Sequence, residues 1–135
     1  MTSKIIYTGD LCTECTHLRS GQTIITDAPV DNNGKGEAFS PTDLAATSLG
    51  SCMITIMGIS AGNHKIDIDG ATLEVTKHMA SDPRRISGID IKVNMPQISY
   101  TSKEKKILEK AGRTCPVAFS LHPDIIQNIE FVWYD

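Results

Sequence analysis

The longest apolar stretch of the chain lies between Ser40 and Asn63. Ser40 is a residue type that caps helices, Pro41 suits the first helical position, and Asp43 complements the positive end of a helix. Apolar side chains then occur on every side of the helix that this segment predicts. Because a helix that is hydrophobic all round is a buried one, we expect a core helix over residues 40–63.

Segments of alternating apolar and polar residues flank this helix and predict strands. Three are expected before it and two after it, over residues 4–7, 11–18, 22–26, 72–79 and 89–95. Residues 81–85 form a turn and join the last two strands into an antiparallel hairpin with one wet face. Residues 27–39 are rich in Pro, Asp, Asn and Gly, and they predict a loop that leads into the helix.

The last third of the chain predicts an amphipathic helix over residues 101–113, a short helix after Cys115, and a final strand over residues 129–133. On the amphipathic helix, Lys105, Glu109 and Arg113 follow one another at a spacing of four residues, which lightly stabilises helices. We interpret these charges as a solvated face.

Composition limits the function classes. A chain of 135 residues with 40% hydrophobic and 21% charged residues is that of one globular domain, residues 1–135. A net charge of -3 and a pI near 5.8 argue against nucleic acid or an anionic membrane as the partner. The apolar helix is too short, and too rich in Ser, Thr and Gly, for a membrane span. The N-terminus lacks the pattern of a secretory leader, so we expect a cytoplasmic protein.

Two of the four cysteines occupy positions with chemical consequences. Cys115 follows the amphipathic helix and precedes Pro116, which predicts that it caps a short helix; thiols there have a lowered pKa and are nucleophilic. A small buried hydrophobe is the alternative. Cys52 lies about three turns into the core helix, where burial alone would raise its pKa, so it is either a packing residue or a thiol reached by a cation.

The remaining pair, Cys12 and Cys15, is a C-x-x-C sequence in a predicted strand. Residues three apart on a strand point to opposite faces, which disfavours both a disulfide and a shared metal ion. The sequence contains no second C-x-x-C or His pair of the kind that structural zinc needs. We therefore interpret these as incidental strand cysteines, and we expect no metal and no bound cofactor.

Three segments together resemble the OsmC/Ohr family of osmotically inducible and organic hydroperoxide resistance proteins. They are THLRSGQTIITDAP at residues 16–29, SPTDLAATSLGSCM at 40–53, and CPVAFSLHPDI at 115–125. The resemblance implies an α/β (α+β) fold with the OsmC-like order of strands, core helix, strand hairpin, helix and strand. It also implies an intertwined homodimer in which the two long helices lie against each other and the active sites lie at the dimer interface.

The activity that the resemblance implies is thiol-dependent reduction of organic hydroperoxides. Cys52 matches the family's peroxidatic cysteine and Cys115 its resolving cysteine, and an external dithiol, in the family often a lipoylated protein, restores both thiols. This conflicts with the capping argument, which by itself makes Cys115 the attacking thiol.

The resemblance also implies a cation beside the reactive thiolate. In the hydroperoxidase branches an Arg from the N-terminal region fills this role and is held by a Glu at the helix start. Arg19 is the one Arg upstream of Cys52 and is therefore the candidate. In place of the Glu the chain has Asp43 one position later, and Glu37 in the loop is a second candidate. These departures are typical of the broader OsmC-like group. They keep open the alternative of a non-catalytic dimer that binds a small apolar ligand or senses oxidants.

Overall fold

The computed structural model describes residues 1–134. Its strands and helices follow the predicted order, with one short 3-10 helix added inside the predicted loop at Val30–Asn32. They are β1 (Ser3–Gly9), β2 (Cys12–His17), β3 (Thr23–Asp27), α1 (Pro41–Asn63), β4 (Thr72–Ala80), β5 (Arg85–Asn94), α2 (Ser102–Gly112), α3 (Pro116–Ser120) and β6 (Ile126–Val132). This is an α+β fold, as predicted. The final strand begins three residues before its predicted start at Ile129.

Helix α1 begins at the cap that the sequence predicts. The Asp43 N–H donates to the Ser40 hydroxyl at 3.0 Å, and the Ser40 N–H donates to the Asp43 carboxylate at 3.0 Å. This reciprocal pair is a capping box, which satisfies backbone donors that a helix start leaves unpaired.

The chain forms two compact units, residues 1–45 and the rest of the described chain. The first unit contains an antiparallel sheet in the order β1-β2-β3. Strands β1 and β2 contain no fully buried residue, and β3 buries Thr26 and Asp27. Ile5, Tyr7 and Ile24 are consequently 62%, 64% and 50% exposed. Whether the two units act as the single expected domain stays a prediction.

The second unit is built on the predicted antiparallel hairpin of β4 and β5, to which β6 adds in parallel alongside β5. Ile89, Ile91 and Val93 on β5 are at most 1% exposed and form the floor of its core. Helix α1 packs closely on this sheet at Gly50, where an added side-chain carbon would lie 3.1 Å from Val75 Cγ2. A glycine there lets the helix backbone approach the sheet.

The expectation that α1 is enclosed on all sides is wrong for the single chain. Its buried residues form one face: Ala46, Leu49, Gly50, Met53, Met57 and Ala61. On the opposite face Ser48, Ser51 and Thr55 are exposed, and Ile59 is 58% exposed. The single chain supplies a packing layer for one side of the helix. Contrary to the expectation that it is too short, α1 could cross a membrane by length and composition, a test that the core helix of a soluble protein also passes.

The charged face of α2 is not merely solvated, contrary to our interpretation. Glu109 Oε1 accepts a hydrogen bond from the Trp133 indole N–H at 3.0 Å. Lys105 Nζ lies 5.8 Å from the centre of the Trp133 ring, and the Arg113 guanidinium lies 5.5 Å from that of Phe131. Phe131 and Trp133, near the end of the chain, lie against α2. The spacing of charges along α2 could not predict these contacts, because the two aromatic residues are distant in the sequence.

Candidate active site

Helices α1 and α3 bring two of the cysteines together. Cys52 is a neighbour of Cys115, close enough to raise the pKa of the Cys115 thiol, and both are free thiols. Cys115 is 0% exposed, whereas Cys52 is half-buried. The structure therefore joins the two residues that the family resemblance pairs.

Cys115 caps α3 as the sequence predicts. Its backbone is extended, with φ -73° and ψ 144°, and Pro116 follows it as the first helical residue. Its sulfur accepts the N–H of Ala118 at 3.3 Å. The Cys-Pro dipeptide thus fixes both the start of α3 and the direction of the thiol.

The prediction that capping lowers the pKa of Cys115 is wrong. Burial raises the pKa of the Cys115 thiol, and although the N–H groups of Ala118 and Val117 oppose this, the neighbouring Cys52 raises it further. Desolvation outweighs the helix-end contribution because the side chain is fully covered. A thiol that is mostly protonated at neutral pH is a poor first nucleophile, which removes the capping argument for Cys115 as the attacking thiol.

Cys52 lies at the boundary between the buried and the exposed faces of α1. Ser51 before it is exposed and Met53 after it is 1% exposed. In the single chain the sulfur of Cys52 is thus the more accessible of the pair.

The three supporting candidates all belong to the first unit. Arg19 is exposed in the turn between β2 and β3, and Glu37 is exposed in the loop before α1. The Asp43 carboxylate has one oxygen in the cap of α1. Their roles at a thiolate stay predictions.

The loop before α1 is closed at its base by Asp27, which the sequence reasoning missed. The Asp27 N–H donates to the Phe39 carbonyl at 3.1 Å, and the Asp27 carboxylate accepts the Glu37 N–H at 3.0 Å. Asp27 is 3% exposed, and the Glu37 N–H, with a smaller contribution from the Cys12 thiol, holds the pKa of its carboxyl group below the ordinary value. A buried carboxylate at a strand end, directly before a polar loop, is a pattern that could have identified it.

Cys12 and Cys15 have hydrogen-bond partners other than cysteine. The Cys12 thiol donates to the Asp27 carboxylate at 3.4 Å, while the Cys15 sulfur lies 3.6 Å from Thr13 Oγ1. Burial raises the pKa of Cys12, and the hydrogen bond to Asp27 adds to this. Within residues 1–134 no three metal-binding side chains cluster.

Gln127 is the second residue that the sequence reasoning missed. Its Nε2 donates to the Ala118 carbonyl at 3.1 Å and so ties α3 to β6. Outward positions of β6 are exposed and alternate with half-buried ones, among them Gln127. A polar residue at an inward-facing position of a strand could have identified Gln127. The predicted strand began at Ile129, however, and so did not include Gln127.

Comparison with known proteins supports the fold and the family. The family model described as OsmC-like protein matches residues 34–130. A protein of Psychrobacter arcticus 273-4, provisionally named an osmotic stress induced and detoxification response protein, is 57% identical; the match covers 98% of this chain and 96% of that chain, with a TM-score of 0.94. No curated protein matches the chain.

Two more distant structures share the fold. The organic hydroperoxide resistance protein OsmC of Legionella pneumophila is 14% identical over 97% of this chain and 96% of its own, with a TM-score of 0.75. The organic hydroperoxide resistance protein OhrB of Bacillus subtilis is 18% identical over 98% of both chains, with a TM-score of 0.70. With a family match that covers most of its length, the chain belongs to the OsmC-like protein family.

Proposed function

We propose that this protein is a thiol peroxidase that reduces organic hydroperoxides, with Cys52 as the attacking thiol and Cys115 as the resolving thiol. The observation that carries the proposal is that the half-buried Cys52 neighbours the fully buried Cys115. The hydroperoxide resistance proteins of Legionella and Bacillus that share the fold support the choice of substrate class.

The first step oxidises Cys52. Its thiolate attacks one peroxide oxygen, the O–O bond breaks, and the alkoxide leaves and takes up a proton to become the alcohol. Sulfur loses two electrons and becomes a sulfenic acid.

The second step forms a disulfide. The Cys115 sulfur attacks the Cys52 sulfenic acid, the S–O bond breaks, and the oxygen leaves as water. Because Cys115 is already a neighbour of Cys52, this step competes with further oxidation of Cys52 to the sulfinic acid. An external dithiol, of which a lipoylated protein is one example, returns two electrons by thiol–disulfide exchange.

Arg19 is the proposed cation for the Cys52 thiolate, with Asp43 or Glu37 as its carboxylate partner. This assignment rests on the family resemblance and on the order of residues along the chain. The Asp43 carboxylate also caps α1, which makes the exposed Glu37 the freer of the two to pair with an arginine.

The proposed active form is a homodimer in the cytoplasm. The single chain leaves apolar residues exposed on the sheet of β1–β3, with Ile5 at 62% and Tyr7 at 64%. It also leaves the outer face of α1 uncovered, including Ile59. A second copy of the chain would bury both surfaces, and burial of apolar area is the main driving force for such association.

Peroxide turnover in the presence of dihydrolipoic acid tests the activity. We expect the wild-type protein to consume cumene hydroperoxide catalytically, Cys52→Ser to abolish consumption, and Cys115→Ser to give only slow turnover with progressive inactivation. Cys15→Ser, a half-buried thiol outside the pair, is the matched control and should retain wild-type turnover.

Turnover no faster than that of free cysteine, or equal turnover by the Cys52→Ser variant, would contradict the proposal. The first result would favour the alternative of a non-catalytic dimer that binds an apolar ligand or senses oxidants.

A further inference from the structure

Helix α3 is short and only partly covered. It has five residues, none of them fully buried, and Phe119 is 75% exposed. A half-open cavity of about 120 Å³ is lined by residues of α1, α2, α3 and β6 and by Arg113 after α2. The residues around the cavity are Met53, Gly112, Arg113, Ala118, Gln127 and Ile129. Any shift of this short helix would move the thiol at its N-terminus.

A chain of two hydrogen bonds connects β6 to that thiol. Gln127 Nε2 donates to the Ala118 carbonyl at 3.1 Å, and the Ala118 N–H donates to the Cys115 sulfur at 3.3 Å. One residue, Ala118, therefore links the Gln127 amide to the resolving sulfur. We propose that Gln127 is a positioning residue that holds α3 so that the Cys115 sulfur faces Cys52.

The reason that this hydrogen bond matters is preorganisation. A disulfide requires the two sulfur atoms to approach to about 2.05 Å with a restricted torsion angle. Holding them in contact beforehand removes part of the entropy cost of bringing them together. The hydrogen bond from Gln127 to the Ala118 carbonyl restrains this geometry without involving either sulfur atom.

The role assigned to Gln127 in catalysis rests on the proposed function, so the first experiment avoids peroxide. The equilibrium between the dithiol and the Cys52–Cys115 disulfide is measured in dithiothreitol redox buffers for wild type, Gln127→Met and Asn128→Leu. Methionine has similar length and no donor. Asn128 is the matched control, because it donates one side-chain hydrogen bond from the outer face of the same strand, to Asp90 at 2.9 Å.

We expect Gln127→Met to lower the equilibrium constant for the disulfide about fivefold, the factor that corresponds to one neutral hydrogen bond. Asn128→Leu should leave it unchanged. Equal constants for wild type and Gln127→Met would overturn the role of Gln127. So would an equal decrease in both variants that follows their loss of thermal stability.

A second experiment adds cumene hydroperoxide and separates the two steps. In Gln127→Met we expect Cys52 oxidation at the wild-type rate, disulfide formation about fivefold slower, and more sulfinic acid at high peroxide. In Gln127→Glu, the rate relative to wild type should recover as the pH falls, because a protonated carboxyl group can donate to the Ala118 carbonyl and a carboxylate cannot. Slowing of both steps to the same extent would contradict positioning.

If the wild-type protein reacts with no peroxide but Gln127→Met shifts the disulfide equilibrium, the proposed function fails and the positioning role stands. If the protein reduces peroxide and the equilibrium is unaffected, the positioning role fails alone.

Discussion

The fully buried Cys115 neighbours the half-buried Cys52, and this difference in burial is the basis of the proposed order in which the two sulfurs react. In the proposed mechanism Cys52 reacts with the oxidant and Cys115 then resolves the product. Burial also keeps Cys115 protonated, which protects it from direct oxidation because the thiolate is the nucleophile.

The raised pKa of Cys115 predicts a pH-dependent second step. Below its pKa the fraction present as thiolate rises about tenfold for each pH unit, so disulfide formation should accelerate with a slope near one between about pH 6 and pH 8. Rapid quench and mass spectrometry of the preformed Cys52 sulfenic acid would measure this. A rate that is flat over this range would mean that Cys115 is already ionised there.

Replacement of Arg19 tests the proposed cation. An opposite charge lowers the pKa of a thiol by about one unit or more, so Arg19→Ala should slow Cys52 oxidation at neutral pH by about tenfold or more. The rate of disulfide formation should not change. Arg84→Ala, in the exposed turn between β4 and β5, is the control. Equal oxidation rates for Arg19→Ala and Arg84→Ala would remove Arg19 from the site.

Asp27 predicts an acid-sensitive contribution to stability. Because the N–H of Glu37 and the thiol of Cys12 hold its pKa below the unfolded value, the stabilisation is fully present above the unfolded pKa of about 3.9. It is lost as the pH falls through the folded pKa. Asp27→Asn should therefore lower the urea midpoint at neutral pH, and the difference from wild type should shrink below about pH 4.

The exposed Asp69→Asn is the control for this prediction and should not change the midpoint. A difference between wild type and Asp27→Asn that stays constant down to about pH 2 would show that the charge of Asp27 does not stabilise the fold.

The contact between Glu109 and Trp133 predicts a stability effect away from the thiols. Glu109→Leu leaves the part-buried indole N–H without its acceptor and should reduce the free energy of unfolding by about 1 kcal/mol. Glu109→Gln keeps an acceptor oxygen and should cost less. Chemical denaturation followed by Trp133 fluorescence measures both, and equal losses in the two variants would mean that the hydrogen bond is not the cause.

Local sequence patterns were sufficient to predict the helices and strands and their order along the chain. Alternation identified the β4–β5 hairpin, and Ser40, Pro41 and Asp43 identified the start of α1 to within one residue. Cys115 before Pro116 identified the cap of α3. The hairpin, the start of α1 and the cap of α3 are each determined by residues that are close together in the sequence, so a local pattern is enough to predict them.

What could not be predicted depends on residues far apart in the chain. The pKa of Cys115 depends on how completely the folded core covers it, and the cap geometry alone gives the opposite direction. Gln127 reaches Ala118 only because β6 adds in parallel beside β5, a pairing that no local pattern indicates. The apolar pattern of α1 by itself predicted burial on every side, and only the family resemblance, which implies that two long helices lie against each other, gave a reason for an exposed outer face in the single chain.

The most direct test of the thiol pair is intact-mass and peptide analysis after one equivalent of cumene hydroperoxide, on wild type, Cys52→Ser and Cys115→Ser. We predict rapid formation of a Cys52–Cys115 disulfide in wild type, no disulfide in Cys52→Ser, and sulfenic followed by sulfinic acid at Cys52 in Cys115→Ser. Oxidation of Cys115 at the wild-type rate in the Cys52→Ser variant would contradict the assignment of Cys52 as the attacking thiol.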